Sequence, residues 1–256
     1  QLRPHQRAAV ARMIAEPAVG LFHSVGAGKT LEMVVGATEL KRMGLINKPC
    51  IAVPNHMLEQ FSREWLQAYP QARVLAASSD DLGKDQRRLF VARAATNDWD
   101  AIILTHGALK KIGVSPQAEA DYISRQLDEL RVSRDAARAA GSMSVKTIEK
   151  AVARLEGDLR KKLDTPRDDG VSWEDTGIDY LIVDEAHTFK NLATPSNIRD
   201  AAIEGSAQAS DLHMKLEFLR GQHGDRVATL ATATPLANSI TEAYVMQRYL
   251  RPDLME

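Results

Sequence analysis

Six short apolar runs, spread along the chain, constrain its fold more than any other feature of the sequence. They are AVGLF (18–22), CIAVP (50–54), ARVLA (72–76), AIILT (101–105), YLIVD (180–184) and VATLATATP (227–235). Runs of this length between turn residues are typical of buried β-strands. Segments with helical spacing of apolar residues, such as 29–44 and 56–69, separate most of them. The alternation predicts an α/β fold: a mainly parallel sheet flanked by helices, with ligands beyond the carboxyl ends of its strands.

The segment 115–169 departs from this alternation, because it is highly charged and contains no strand signal. Its apolar residues recur in steps of three and four, which is the spacing of helix faces. They are Ile123, Leu127 and Leu130, followed by Ile148, Val152, Leu155, Leu159 and Leu163. The stretch AAGSMS (139–144) separates the two groups, so the segment predicts an antiparallel helical hairpin inserted in the α/β domain. A solvated hairpin with only a structural use is the alternative.

Composition excludes several classes of protein. The formal net charge of the 256 residues is -1, so there is no general basic field to attract nucleic acid, and any such contact needs a local patch. A single cysteine, Cys50, excludes an internal disulfide and a cysteine-based zinc site, which suits a cytoplasmic protein. No apolar run approaches the length of a membrane span, and we expect no membrane partner.

The stretch HSVGAGKT (23–30) resembles a phosphate-binding loop in which His23 replaces the first glycine. Such a loop directs backbone N–H groups at phosphate oxygens, while its lysine reaches the β and γ phosphates and its hydroxyl residue holds Mg²⁺. The stretch follows a predicted strand and opens a predicted helix, which is the required context. It therefore predicts an ATP site formed by Val25, Gly26, Ala27, Gly28, Lys29 and Thr30, with Thr30 as a Mg²⁺ ligand.

A second motif, YLIVDEAH, places Asp184 and Glu185 at the end of a predicted buried strand. One carboxylate in such a position can hold Mg²⁺, and its neighbour can orient or activate the attacking water. Acidic capping of an exposed strand end is the alternative. Together with the phosphate loop, the pair predicts a catalytic site of Lys29, Asp184 and Glu185, with ATP and Mg²⁺ as cofactors.

The sequence resembles superfamily 2 DEAD/DEAH-box helicases and translocases, whose motifs I, II and III correspond to VGAGKT, DEAH and ATATP. Further stretches resemble the Swi/Snf-type translocases of double-stranded DNA. These are LRPHQ, IAVPNHMLEQFSREW, IILTHGAL, DEAHTFKN and TATPLANSITEAY. Within that branch the chain is similar to the very large helicases of phages, plasmids and other mobile elements, which are often fused to an adenine methyltransferase. The resemblance implies a RecA-like P-loop NTPase fold over residues 1–256, apart from the inserted hairpin.

The resemblance also implies a role for individual residues. Gln6 would contact adenine, while His187, Thr232 and Thr234 would couple the nucleotide state to DNA and to a partner lobe. The residues implied to lie near the DNA backbone are Pro54, Asn55, Thr105 and His106. Basic residues near the expected groove could assist them or could be solvated helix-face charges, namely Lys41, Arg42, Lys48, Arg63, Lys110, Lys111 and Lys190.

Superfamily 2 motors hydrolyse ATP between two RecA-like lobes, and the second lobe supplies an arginine that stabilises transition-state charge. The chain stops soon after the ATATP motif, so we expect it to be the first lobe only, nearly inactive alone. The resemblance implies duplex DNA and the second lobe as partners. Two alternatives remain open. One is a helicase that separates DNA or RNA strands, and the other is a nucleotide-gated binding module that recruits a partner through the helical insert.

Overall fold

The computed structural model describes residues 1–139, 145–164, 170–193, 205–236 and 240–255. Six strands form one sheet in the order β1-β6-β5-β2-β4-β3, and every neighbouring pair is parallel. The strands are β1 (Ala18–Leu21), β2 (Pro49–Val53), β3 (Val74–Ala77), β4 (Ala101–Thr105), β5 (Tyr180–Val183) and β6 (Ala228–Ala231). The predicted α/β fold with a parallel sheet is therefore confirmed.

Two strands differ from their apolar runs for local reasons. Strand β3 begins two residues later than its run, because the backbone N–H of Arg73 donates instead to the Asp100 carboxylate (2.7 Å). Strand β6 ends at Ala231, although its run continues to residue 235. There the Thr232 hydroxyl accepts the backbone N–H of Thr234 (3.1 Å), a short-range bond that turns the chain out of the sheet.

Helices cover both faces of the sheet. The helices in the described part of the chain are α1 (Pro4–Ala15), α2 (Lys29–Arg42), α3 (Leu58–Ala68), α4 (Lys84–Thr96), α5 (His106–Lys111), α6 (Pro116–Ala139), α7 (Val145–Asp164), α8 (Ala207–His223) and α9 (Ile240–Leu250). Side chains from α1, α2 and α3 form one hydrophobic core with the sheet, and side chains from α4, α5, α8 and α9 form another. Alternate residues of β2 belong to different cores. Ile51 and Val53 pack in the core with α1, α2 and α3, whereas Cys50 and Ala52 pack in the core with α4, α5, α8 and α9.

Helices α6 and α7, which come between β4 and β5 in the sequence, pack antiparallel to each other, as shown by ion pairs of Arg131 with Glu156 (2.8 Å) and of Arg138 with Glu149. They share a small core, which consists of Tyr122, Ile123, Leu127, Ala137, Ile148 and Val152, with Leu130 and Leu155 at its edge. Residues 140–144 of the predicted break, residues 165–169 and the side chains of Leu159 and Leu163 lie outside the described part. Among the described residues, no helix combines the length and apolar character needed to cross a membrane.

A buried histidine joins this hairpin to the α/β domain. Tyr122 of α6 and His213 of α8 form a hydrogen bond of 2.7 Å, and His213 also packs against Tyr249 of α9. Burial lowers the pKa of His213 to about 3, and nearby arginines add to the effect. The root of the hairpin is therefore attached to the domain through a neutral imidazole.

This imidazole predicts that the protein loses stability in acid. The folded protein keeps His213 neutral, whereas the unfolded chain protonates it near pH 6.5, so the unfolded state binds more protons below that pH. We expect the free energy of unfolding to fall by up to about 1.4 kcal/mol per pH unit from this group as the pH decreases from about 6.5 towards 4. Urea unfolding at several pH values tests this. His213→Asn should flatten the dependence, and the exposed His223→Asn should leave it unchanged.

Candidate active site

The carboxyl ends of β1, β6 and β5 are neighbours in the sheet, and each leads into one of the predicted nucleotide motifs. The loop at 23–28 follows β1, the turn at 232–235 follows β6, and Asp184 and Glu185 follow β5. Strands that are far apart in sequence thus bring the three motifs to one edge of the sheet. This is the edge at which parallel α/β sheets bind their ligands.

The loop after β1 has the backbone of an anion-binding turn. Gly26 (φ 79°) and Gly28 (φ 89°) occupy the left-handed region, and Gly28 is the N-cap of α2. Lys29 and Thr30 are the first residues of that helix, whose N-terminal N–H groups and dipole favour a bound phosphate. The Lys29 ammonium donates to the backbone carbonyls of His23 (3.0 Å) and Ser24 (3.2 Å). The Lys29 ammonium therefore lies against the same loop that is predicted to bind the phosphates.

Gln6 of α1 contacts the backbone of the same loop. Its side chain is buried, and its amide nitrogen donates to the carbonyls of Gly28 (3.3 Å) and Ala27 (3.4 Å). Its amide oxygen accepts the backbone N–H of Arg3 (2.9 Å). The structure thus places Gln6 against the phosphate loop, and its contact with adenine stays a prediction.

The fit between Gln6 and Gly28 predicts the effect of one substitution. A Cβ atom at residue 28 would lie 2.4 Å from the Gln6 amide nitrogen, on a backbone that only glycine adopts without strain. We expect Gly28→Ala to lower the free energy of unfolding by about 1 to 2 kcal/mol and to abolish ATP binding. Gly44→Ala is the matched control, because Gly44 also has positive φ (70°) but a Cβ there meets no atom within 4 Å. Equal ATP binding by both variants would contradict the prediction, which thermal unfolding and a fluorescent ATP analogue can test.

A buried acid supports the unusual first residue of the loop. The Nδ1 atom of His23 lies 2.9 Å from both carboxylate oxygens of Glu32, whose side chain is fully buried in α2. The ring of His5 packs edge-on against that of His23 (5.8 Å between centroids) and contacts the Ala27 carbonyl (2.9 Å). Sequence reasoning missed Glu32. Two features of the sequence could have indicated it: an acidic residue lies among the apolar residues of the predicted helix, and a histidine replaces the first glycine of the loop before that helix.

The two carboxylates after β5 have different environments. Asp184 is buried, and burial raises its pKa to about 6, although the nearby Lys29 acts in the opposite direction. Glu185 is half-buried and has a left-handed backbone (φ 50°), which no other non-glycine residue in the described part of the chain adopts. Its N–H donates to the Asp184 carboxylate (2.9 Å). Asp184 therefore suits a bound cation, and the more accessible Glu185 suits a water molecule.

The residues that were predicted to couple nucleotide and DNA form a chain of contacts. Nδ1 of His187 lies 3.1 Å from a carboxylate oxygen of Glu185 and 3.0 Å from the Thr232 hydroxyl. Thr232 is buried and accepts the backbone N–H of Thr234. The structure thus links the acidic motif of β5 to the turn after β6 through one imidazole. Their coupling role stays a prediction.

The residues that were predicted to lie near DNA are at or just after the carboxyl ends of β2 and β4, farther along the same edge. Asn55 is exposed and Pro54 is half-buried, so both can reach a ligand. Thr105 is buried, and its hydroxyl caps α5 by accepting the N–H of Ala108 (3.1 Å). His106 contacts the Asp184 carbonyl (2.9 Å), and burial lowers its pKa to about 4. The structure therefore gives Thr105 and His106 internal contacts, and a DNA contact by any of the four residues stays a prediction.

Several basic residues expected near the groove belong to the opposite edge of the sheet. Lys48 immediately precedes β2, where its ammonium donates to the carbonyl of Ala94. Lys41 and Arg42 lie in the last turn of α2, where Lys41 forms an ion pair with Asp98 (2.7 Å). Because Lys41, Arg42 and Lys48 lie at the amino ends of the strands, their expected place beside the groove is wrong. Lys111 donates to the Ser79 carbonyl (2.7 Å) after β3, at the carboxyl edge.

Comparisons with known proteins agree with this geometry. The chain is 31% identical over 131 residues to the Defense against restriction protein B of Escherichia phage P1. The matched segment covers 46% of this chain and 6% of that protein. The structure of the Sulfolobus solfataricus SWI2/SNF2 ATPase core in complex with dsDNA matches with a TM-score of 0.56 and 16% identity, over 99% of this chain and 36% of that one. The fold is thus RecA-like, and the chain spans only a part of either relative. A family model described as a probable helicase domain matches residues 13–256, and the chain therefore belongs to the probable helicase domain family.

Proposed function

We propose that this chain is the ATP-binding lobe of a motor that moves along duplex DNA at the expense of ATP. The observation that carries the proposal is the arrangement at the carboxyl edge of β1, β6 and β5. There the glycine-rich loop at 23–28 follows β1, the turn at 232–235 follows β6, and a buried and a more accessible carboxylate follow β5, with His187 linking Glu185 to Thr232. The similar fold of a SWI2/SNF2 core solved with dsDNA supports duplex DNA as the track.

The residues at this edge suit ATP and Mg²⁺. Lys29 and the loop at 26–28, with its two left-handed glycines, would bind the phosphates, and Thr30 together with Asp184 would hold Mg²⁺. The fit rests on the donor atoms, since the buried Asp184 carboxylate and the Thr30 hydroxyl offer the oxygen ligands that Mg²⁺ prefers. Mg²⁺, when bound, offsets the negative charge of the phosphates. Glu185 would orient the attacking water.

Hydrolysis is proposed to need a second RecA-like lobe that closes over this edge. The chain covers 36% of the SWI2/SNF2 core that it resembles, which is compatible with one lobe of two. In related hydrolases an arginine from the partner increases the rate by about 10³ to 10⁵. We therefore propose that residues 1–256 alone bind ATP weakly and hydrolyse it very slowly. Robust hydrolysis by these residues alone would contradict this part of the proposal.

Contact with DNA is proposed to involve the phosphate backbone beyond β2 and β4, where Asn55 is exposed and Lys111 lies near Ser79. A protein that binds phosphates releases counterions, so its affinity falls steeply with salt and shows no preference for sequence. The small net charge of this lobe means that such a patch is local. Substituting Asn55 or Lys111 is therefore expected to weaken binding to all duplex sequences alike.

The test is ATP hydrolysis by the full-length protein with no nucleic acid, single-stranded DNA, duplex DNA and RNA, with a Lys29→Ala variant as the control. Stimulation by duplex DNA that is absent in the control is the expected result. A triplex-displacement assay then detects movement without strand separation. Stimulation mainly by single strands or RNA would favour a strand-separating helicase. No stimulation would favour a nucleotide-gated binding module.

A further inference from the structure

The loop that carries Asp184 and Glu185 is held by a histidine from a strand that is not its neighbour. His106 follows β4, and β2 lies between β4 and β5 in the sheet. The Nε2 atom of His106 nonetheless donates to the Asp184 backbone carbonyl (2.9 Å). The ring also packs edge-on against Phe189, with 4.9 Å between centroids. His106 therefore spans the end of β2 and fixes the first peptide of the acidic loop.

Thr188 fixes the next peptide of the loop from the other side. Its backbone N–H and its hydroxyl each lie 3.0 Å from the Glu185 carbonyl. Nδ1 of His106 lies 3.5 Å from the same hydroxyl. The Asp184 carbonyl is thus bound by His106 itself, and the Glu185 carbonyl is bound by Thr188, whose hydroxyl lies beside the His106 ring.

The backbone of Glu185 requires such support. A left-handed conformation (φ 50°, ψ 46°) costs a non-glycine residue on the order of 1 kcal/mol. Strained residues persist only where their surroundings over-determine them, and they cluster at functional sites. In this loop the strained residue is Glu185, which is proposed to orient water. The direction of its carboxylate therefore depends on the contacts that hold the Asp184 and Glu185 carbonyls in place.

We propose that His106 is a positioning residue that sets the geometry of Glu185 for hydrolysis through the Asp184 carbonyl and Thr188, rather than a residue that binds the DNA backbone. The inference rests on the proposed ATPase function. It also gives α5, whose first residue is His106, a direct connection to the acidic loop after β5. A movement of α5 on DNA would then reach that loop through the His106 side chain.

The structural part of the inference can be tested by hydrogen exchange in the full-length protein. His106→Phe preserves the packing on Phe189 but removes the donor, and we expect it to accelerate exchange of the Thr188 amide by about tenfold or more. His106→Gln, which can place an amide N–H near the Nε2 position, should restore slow exchange, whereas the shorter His106→Asn should not. Amides of α2 serve as the internal control for global destabilisation. Unchanged exchange at Thr188 in the Phe and Asn variants would overturn the inference, whether or not the protein hydrolyses ATP.

The kinetic part separates positioning from DNA contact. With saturating duplex DNA, His106→Phe should lower kcat by about 10- to 100-fold, while KM for ATP and the Kd for DNA change less than about twofold. His106→Gln should recover most of kcat. Thr188→Val should lower kcat as well, and its effect should not add to that of His106→Phe, because both act on the same loop. Equal loss of DNA affinity in the Phe and Gln variants, with kcat retained, would make His106 a DNA contact and overturn the inference.

These outcomes distinguish the inference from the function on which it rests. A wild-type protein without any ATP hydrolysis would contradict the proposed function, while the exchange of the Thr188 amide would still decide whether His106 holds the loop. Conversely, strong DNA-stimulated hydrolysis that is indifferent to His106→Phe and His106→Asn would support the function and refute the positioning role.

Discussion

Replacing Lys29 with alanine is expected to reduce DNA-stimulated ATP hydrolysis by about 10²- to 10³-fold, because one preorganised cation facing the developing phosphate charge has an effect of that size. The Lys29 ammonium lies over its own loop and contacts the carbonyls of His23 and Ser24. An ammonium in that position can turn towards a phosphate without any rearrangement of the backbone. We expect weaker ATP binding as well, because the same charge attracts the ground-state nucleotide.

Lys41→Ala is the matched control for this result. Lys41 belongs to the same helix, α2, but lies at its other end, where it pairs with Asp98. The two variants therefore remove the same charge from the same element at opposite edges of the sheet. Similar hydrolysis rates for both, measured in a coupled assay at saturating duplex DNA, would remove the phosphate loop from the proposed mechanism.

Glu185→Gln is expected to abolish hydrolysis while leaving ATP binding intact. A positioned general base or water-orienting carboxylate contributes about 10²- to 10⁴-fold, and the amide that replaces it keeps the shape but cannot accept a proton from water. The side chain also pairs with Nδ1 of His187 (3.1 Å), and the amide oxygen of glutamine can preserve that contact. We therefore expect the loss in kcat and no change in the thermal midpoint.

Asp184→Asn provides the contrast. Asp184 is the proposed Mg²⁺ ligand, so this variant should require far more Mg²⁺ to bind ATP, whereas Glu185→Gln should not. Binding of a fluorescent ATP analogue, titrated with Mg²⁺, separates the two effects. If the two variants lost ATP binding equally, the division of roles between the adjacent carboxylates would be wrong.

Local patterns in the sequence were sufficient to predict most of the fold. The six apolar runs correspond to six strands, and Ile123, Leu127, Ile148 and Val152 form the hairpin core that their spacing indicates. These features depend on neighbouring residues, since a parallel strand buried on both faces is a continuous apolar run and a helix buried on one face has a period of about 3.6. The glycine-rich loop at 23–28 and the acidic motif could be proposed from the sequence for the same reason, because each is a contiguous stretch.

Features that depend on the order of strands in the sheet could not be predicted from local sequence patterns. Nothing in the sequence states that β2 separates β4 from β5, so the reach of His106 to the Asp184 carbonyl was not predictable. The pairing of His23 with Glu32 required knowledge of which face of α2 is buried at its first turn. Lys41 and Lys48 were placed beside the groove, because a sequence gives charge without showing which end of a sheet carries it.

The two ends of the hairpin formed by α6 and α7 differ in what a deletion would do to the stability of the protein. Its root is the end that contacts the α/β domain, and its tip is the distal end beyond Arg131 and Glu156. Tyr122, at the root, is bonded to His213, which packs on Tyr249, and the hydroxyl of Tyr249 donates to carbonyls of Phe189 (2.8 Å) and Ala209 (3.2 Å). Deleting residues 115–169 as one block would expose these buried hydrogen-bonded groups to solvent and destabilise the domain. Replacing residues 132–155, between the partners Arg131 and Glu156, with a short glycine-rich turn would discard the distal turns and keep the root. A partner that binds the tip could then be separated from the hairpin's contribution to stability.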